Sequence, residues 1–215
     1  VGGHDRYDEI KNSSSYGELL AETHQRVDKL ARQLVIQSKS LDTILTKAKE
    51  KEDMLASMPS IKPVRSDRLK RHVSLLSGFG MRIHPIHKVR KMHAGIDFSA
   101  PTGTAIQATG NGTVVEVDYK RTGYGHHVVI DHGYGFKTLY GHMSKINVKV
   151  GEEVKRGQKI GEVGSTGTST APHCHYEVHL KGSKVNPIHY CMDGLSPEEY
   201  QELVDAASRA NQSFD

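Results

Sequence analysis

The apolar period of this sequence changes at Pro63, and that change limits the fold more than any other feature. Before it, Leu20, Thr23, Val27, Leu30, Leu34, Gln37, Leu41, Ile44 and Ala48 recur at alternating spacings of three and four, and Leu55 extends the series. That spacing draws one stripe along an α-helix in a heptad pattern, so it predicts a coiled-coil-like helix over residues 16–57. The run Ser38–Asp42 softens the stripe, and no proline interrupts it. Pro59 and Pro63 then end it, because proline cannot continue a helix and restricts the residue before it. An amphipathic helix of this length needs a cover for its stripe. Another chain, a helix upstream of Val1, or the domain that follows would each serve.

Beyond Pro63 glycine becomes frequent and the apolar period falls to two. Short strands are predicted at 113–117, 127–130, 137–140, 159–163 and 174–179, bounded by glycine-rich turns. Many short strands without intervening helices point to an antiparallel, mainly β domain. The glycines of Val150–Gly161 fit a tight β turn. Ser196-Pro197-Glu198-Glu199 reads as an N-cap, a proline in the first turn and two acidic residues, so a short helix closes the chain. The expected organisation is a helical region over 1–60, a basic linker over 61–76, a β domain over 77–190, and a C-terminal helix and tail over 191–215.

Composition removes several alternatives. No stretch reaches the ~20 apolar residues of a membrane span. The sequence starts at Val1 rather than Met, so it is read as a trimmed chain in which a missing targeting segment proves nothing about the native protein. Nine basic residues fall between Lys62 and Lys91, against Asp67 alone, yet the net charge is only +4. The run lacks the interleaved aromatics that single-stranded nucleic acid needs, so nucleic acid is not an expected partner. Two cysteines, Cys174 and Cys191, do not make a disulfide framework, although a single bridge is open to them.

Three clusters carry possible chemistry among 14 histidines. His93 and Asp97 are four residues apart, about 13 Å in extended chain, whereas two ligands of one zinc lie within about 4 Å. The chain must bend between them if they share a metal, and Gly95 is placed to allow it. His173 and His175 are two apart, so on a strand both rings stand on one face with Glu177 and His179, while Cys174 turns toward the core. His142 follows an apolar strand and precedes a loop. Singly, each cluster has an ordinary reading as surface or packed histidine.

In this order, His93-x-x-x-Asp97, Tyr140-Gly141-His142 and His173-x-His175 resemble the lysostaphin-type zinc endopeptidases of bacterial cell walls. Ser77-Gly78-Phe79-Gly80-Met81-Arg82, Gly95-Ile96-Asp97-Phe98, Gly103-Thr104, Gly164-Ser165-Thr166-Gly167 and Val185-Asn186-Pro187 extend the resemblance from about Ser77 to Ile188. Cys174 stands where the family often has Leu, and Gly141 where it often has Ala. The resemblance implies one zinc per chain held by His93, Asp97 and His175, with His142 and His173 as catalytic histidines and His173 favoured as the base. Arg82 and Tyr140 are weaker candidates for substrate contact, with a structural role for Arg82 equally open, and Glu177 is a candidate for orienting a ligand. The implied substrate is a cross-link or stem peptide of peptidoglycan. The helix before the domain resembles envelope-anchored Gram-negative members, which implies a periplasmic location, a membrane anchor upstream, and self-association or an envelope partner through the helix. A non-catalytic relative that activates amidases is the alternative, and the presence of all five positions weighs against it.

Overall fold

The computed structural model describes residues 7–12, 15–64, 76–83 and 89–209. Most of the basic linker, residues 65–75, and the histidines His84 and His87 lie outside this set. The chain divides into two compact units, residues 1–52 and 53–215.

The first unit is helical. A single turn, α1 (Asp8–Lys11), precedes the long helix α2 (Gly17–Ser57), whose last residues belong to the second unit. At the start of α2 the Tyr7 hydroxyl donates to the Asp28 carboxylate. Gly17 is required there, since a Cβ would sit 2.3 Å from the Lys11 carbonyl oxygen. Of the heptad residues, Leu20, Val27, Leu30, Leu34, Leu41, Ile44 and Leu55 are all between 46% and 65% exposed. The sequence period is therefore realised as a helix whose apolar stripe faces solvent in this chain.

The second unit is mainly antiparallel β. Its strands are β1 (Leu76–Ser77), β2 (Gly80–Ile83), β3 (Arg90–His93), β4 (Ile96–Ser99), β5 (Ala105–Gln107), β6 (Gly112–Tyr119), β7 (His126–Gly133), β8 (Phe136–Gly141), β9 (Met143–Ile146), β10 (Glu153–Val154), β11 (Lys159–Val163), β12 (His173–Leu180) and β13 (Ser183–Val185). Among the described residues the main sheet runs β1-β4-β12-β8-β7-β6-β10, with β13 paired on β12. A second sheet runs β5-β11-β9, and β2 pairs with β3. The five strands predicted from alternation correspond to β6, β7, β8, β11 and β12. A 3-10 turn (Pro187–Tyr190) and α3 (Pro197–Ser208) follow; Ser196 and Glu199 form a reciprocal capping box at the start of α3.

The strand β12 organises the site. Its residues His173 to Val178 are all buried, so both faces are covered. Cys174, Tyr176 and Val178 enter the apolar core with Ile96, Phe98, Val128, Ile130 and Ile160. Both thiols are free and buried, and burial pushes Cys191 up to about 12. The opposite face of β12 carries His173, His175 and Glu177, each at most 1% exposed. Polar groups buried this deeply are tolerated only where each finds a partner.

Candidate metal centre

Register places the cluster before any side chain is considered. On β12, His175 lies opposite Asp97 of β4 and opposite Gly141 of β8, and Ser77 of β1 lies opposite Asp97. Ser77, Asp97, His175 and Gly141 thus form one row across four strands. His93 arrives at the end of β3, and the chain turns at Ala94–Gly95 to begin β4. Gly95 does not take a left-handed φ, so its need is steric rather than conformational. A Cβ there would lie 2.5 Å from the Tyr176 carbonyl oxygen and 2.9 Å from His175 Nε2.

The result is a tight, buried set. Asp97 Oδ1 lies 2.9 Å from His175 Nδ1 and 3.0 Å from His93 Nε2, and the two nitrogens are 3.2 Å apart. All three separations are inside the roughly 4 Å limit for ligands of one zinc. The outer ring nitrogens fix the tautomers. His93 Nδ1 donates to the Gly78 carbonyl at 2.8 Å, and His175 Nε2 faces the Glu177 carboxylate at 3.2 Å. With protons on those outer nitrogens, neutral rings aim two lone pairs at the carboxylate oxygen, an arrangement that suits a shared cation and repels itself without one. The donor set therefore fits a divalent metal.

His142 and His173 flank this set. Their ring centroids are 4.6 Å apart, and His173 Nε2 is 3.7 Å from Asp97 Oδ1. His173 Nδ1 donates to the Ala171 carbonyl at 2.8 Å, and His142 Nδ1 to that of Thr166 at 2.7 Å. Each bond leaves Nε2 as the reactive nitrogen. Burial, partly offset by Asp97, lowers the His173 pKa below its ordinary value and favours the neutral ring. His142 sits between β8 and β9 with φ 56°, left-handed for a non-glycine residue, and its N–H donates to the Tyr124 carbonyl at 2.8 Å. Backbone strain of this kind costs about 1–3 kcal/mol and gathers at functional sites.

One sequence expectation narrows and one changes. Arg82, read as a possible substrate contact, spends its guanidinium on the carbonyls of Gly78, Phe79 and Ala207 at 3.1, 3.3 and 2.7 Å. It thereby braces the carbonyl that His93 Nδ1 binds. Tyr140, also read as a substrate contact, is wholly buried on the core face, and its hydroxyl bonds Thr109 and Thr138. Burial pushes its pKa up to about 12, so it is a packing residue. Glu177 does contact His175. Tyr124, which sequence reasoning passed over, packs its ring on His175 with centroids 5.4 Å apart; only its place between Gly123 and Gly125 hinted at it.

A second group, Glu116, Asp118 and His127, lies on β6 and β7. Asp118 already pairs with Lys120 at 2.7 Å and Glu116 with His127 at 3.1 Å, which makes it an ordinary surface charge network.

The β domain is similar to known peptidases. Residues 91–187 match peptidase family M23. Over 107 residues the chain is 46% identical to the peptidoglycan DD-endopeptidase ShyA of Vibrio cholerae, covering 50% of this chain and 25% of that protein. A zinc containing peptidase from the same species is 38% identical, with a TM-score of 0.50, over 60% of this chain and 38% of that one. The catalytic domain of the antimicrobial peptidase lysostaphin from Staphylococcus simulans is 37% identical over 52% of this chain and 86% of that one, with a TM-score of 0.48. The chain spans about a quarter of the length of the curated relatives it matches.

Proposed function

We propose that this chain, which belongs to peptidase family M23, is a zinc-dependent endopeptidase that hydrolyses cross-links or stem peptides of bacterial peptidoglycan. The observation that carries the proposal is the convergence of His93 Nε2, Asp97 Oδ1 and His175 Nδ1 beside the paired rings of His142 and His173.

His93, Asp97 and His175 would hold one zinc, leaving the fourth position of a catalytic site open. When bound, the metal supplies Lewis acidity that polarises a peptide carbonyl and acidifies water. The rest falls to the protein. His173, kept neutral by burial and oriented by the Ala171 carbonyl, takes a proton from the attacking water at Nε2. His142, held by Thr166 and the Tyr124 carbonyl, acts in the form protonated on both ring nitrogens, donating from Nε2–H to the developing oxyanion or the departing amine. Arg82 and Glu177 keep the two ligand histidines turned inward.

The relative named a peptidoglycan DD-endopeptidase favours a bond in the Gram-negative cross-link, between D-alanine and diaminopimelate. Work on such a substrate places the protein in the cell envelope. No helix among the described residues is long and apolar enough to cross a membrane, and an anchor upstream of Val1 belongs to the same proposal. The exposed stripe of α2 pairs with a second copy of the chain. The non-catalytic, amidase-activating alternative gains nothing from a site whose donors are this closely set.

The deciding experiment is digestion of purified sacculi with the bonds cut mapped by mass spectrometry. Wild-type protein should release fragments at a peptide bond, and Asp97→Ala should release none. Equal release by the two proteins would refute the proposal.

A further inference from the structure

Glu177 is a fully buried carboxylate held by four donors from three parts of the chain. His175 Nε2 reaches Oε1 at 3.2 Å and His179 Nε2 reaches Oε2 at 2.6 Å, both from β12. The Tyr124 hydroxyl donates to Oε1 at 2.7 Å from the turn between β6 and β7. Lys184 Nζ, from β13, donates to Oε1 at 3.0 Å and to the Tyr124 oxygen at 2.8 Å. Lysine, tyrosine and glutamate thus close a triangle. The direct cross-strand pairing of His179 with Lys184 sets two of the four donors side by side.

Tyr124 is itself immobilised. Its flanking glycines have φ of 58° and 61°, and a Cβ on Gly125 would lie 2.4 Å from the Thr166 backbone. Gly123 exchanges hydrogen bonds with Thr168 at 2.9 and 3.1 Å. From this fixed point Tyr124 touches both halves of the centre: its ring packs on His175, its hydroxyl holds Glu177, and its carbonyl accepts from the His142 N–H.

We infer that Tyr124 and Lys184 form a positioning clamp on Glu177 that fixes the His175 ring for metal binding, while the Tyr124 carbonyl ties the same anchor to His142. This rests on the metallopeptidase reading above. Neither residue is among the proposed ligands; the Tyr124 hydroxyl and the Lys184 ammonium act on His175 through Glu177. Outer partners of a ligand histidine typically change metal affinity 10–100-fold when removed. Groups acting by one shared route do not add.

The test uses the full chain, with zinc affinity measured by competition against a chromophoric chelator and the visible spectrum recorded for the cobalt-substituted protein. Tyr124→Phe keeps the ring and the carbonyl and removes the hydroxyl. Lys184→Met removes the ammonium from a partly exposed strand, so it reports even if the tyrosine variant fails to fold. Each should weaken zinc about 10–100-fold and alter the cobalt bands, and the double variant should be no weaker than the weaker single. Lys184→Arg should restore binding. Singles that bind zinc as wild type does with unchanged cobalt spectra, or losses that multiply in the double variant, overturn the clamp. If wild type binds zinc and cuts peptidoglycan while the variants are unaffected, the clamp alone falls. If wild type binds no zinc, the clamp and the metallopeptidase reading fall together.

Discussion

The helix α2 and the strand β12 depart from ordinary burial in opposite directions. Along α2, leucines, valines and isoleucines lie mostly exposed; along β12, two histidines and a glutamate lie fully covered. Each departure marks chemistry completed by something else. Covering a leucine-sized side chain is worth about 1.5–3 kcal/mol, so the α2 stripe favours association through a second apolar surface. On β12 the buried donors already satisfy one another on their outer atoms and turn their inner atoms toward a common point, which favours a cation. The proposed assembly surface and the proposed metal centre lie in different units, and the two should respond to substitution independently.

The largest effect is expected where β12 meets β8. His173→Ala and His142→Ala should each keep zinc but lower hydrolysis about 10²–10⁴-fold, the ordinary range for losing a proton-transfer group. Loss of zinc in either variant would instead make that histidine a ligand and redraw the centre.

A smaller effect is expected at Gly95. In Gly95→Ala the new Cβ collides with the Tyr176 carbonyl and the His175 ring. Overpacking of this sort costs about 1–3 kcal/mol, read as a lower thermal midpoint of the metal-free protein. Zinc affinity should fall with it, since the displaced ring is a proposed ligand. An unchanged midpoint would mean that the turn at Ala94–Gly95 has room to spare.

The smallest effect on activity is expected in α2. Leu34→Glu with Leu41→Glu should abolish self-association in sedimentation velocity, yet leave hydrolysis within about twofold, as surface changes remote from a site usually do. Full-length protein that sediments as a monomer before the substitutions would remove self-association from the proposal. A large loss of hydrolysis would break the independence of the two units.

The sequence made these two regions legible to different degrees. The helix was readable because its signal is periodic: eight apolar residues at heptad spacing locate it whatever covers them. The strand β12 was readable because alternation separates His173, His175 and Glu177 from Cys174, Tyr176 and Val178. The role of Gly95 was misjudged, since a bend and a close approach both call for glycine and only coordinates separate them. Tyr140 was misplaced because a buried tyrosine and an exposed one look alike in sequence, and Arg82 was left open between a substrate contact and a structural role. A long polar side chain near a site can face ligand or backbone, and Arg82 faces three carbonyls. Tyr124 left little trace because its partners His142, His175, Glu177 and Lys184 lie 18 to 60 residues away and meet a ring, a hydroxyl and a carbonyl, none of which leaves a local pattern.

Zinc stoichiometry tests the central claim most directly. Protein purified in metal-free buffer, loaded with excess zinc and desalted, should retain one zinc per chain by mass spectrometry, and His175→Ala should retain none with its circular dichroism unchanged. Full retention of zinc by His175→Ala, or no retention by folded wild type, would contradict a metal centre built on His93, Asp97 and His175.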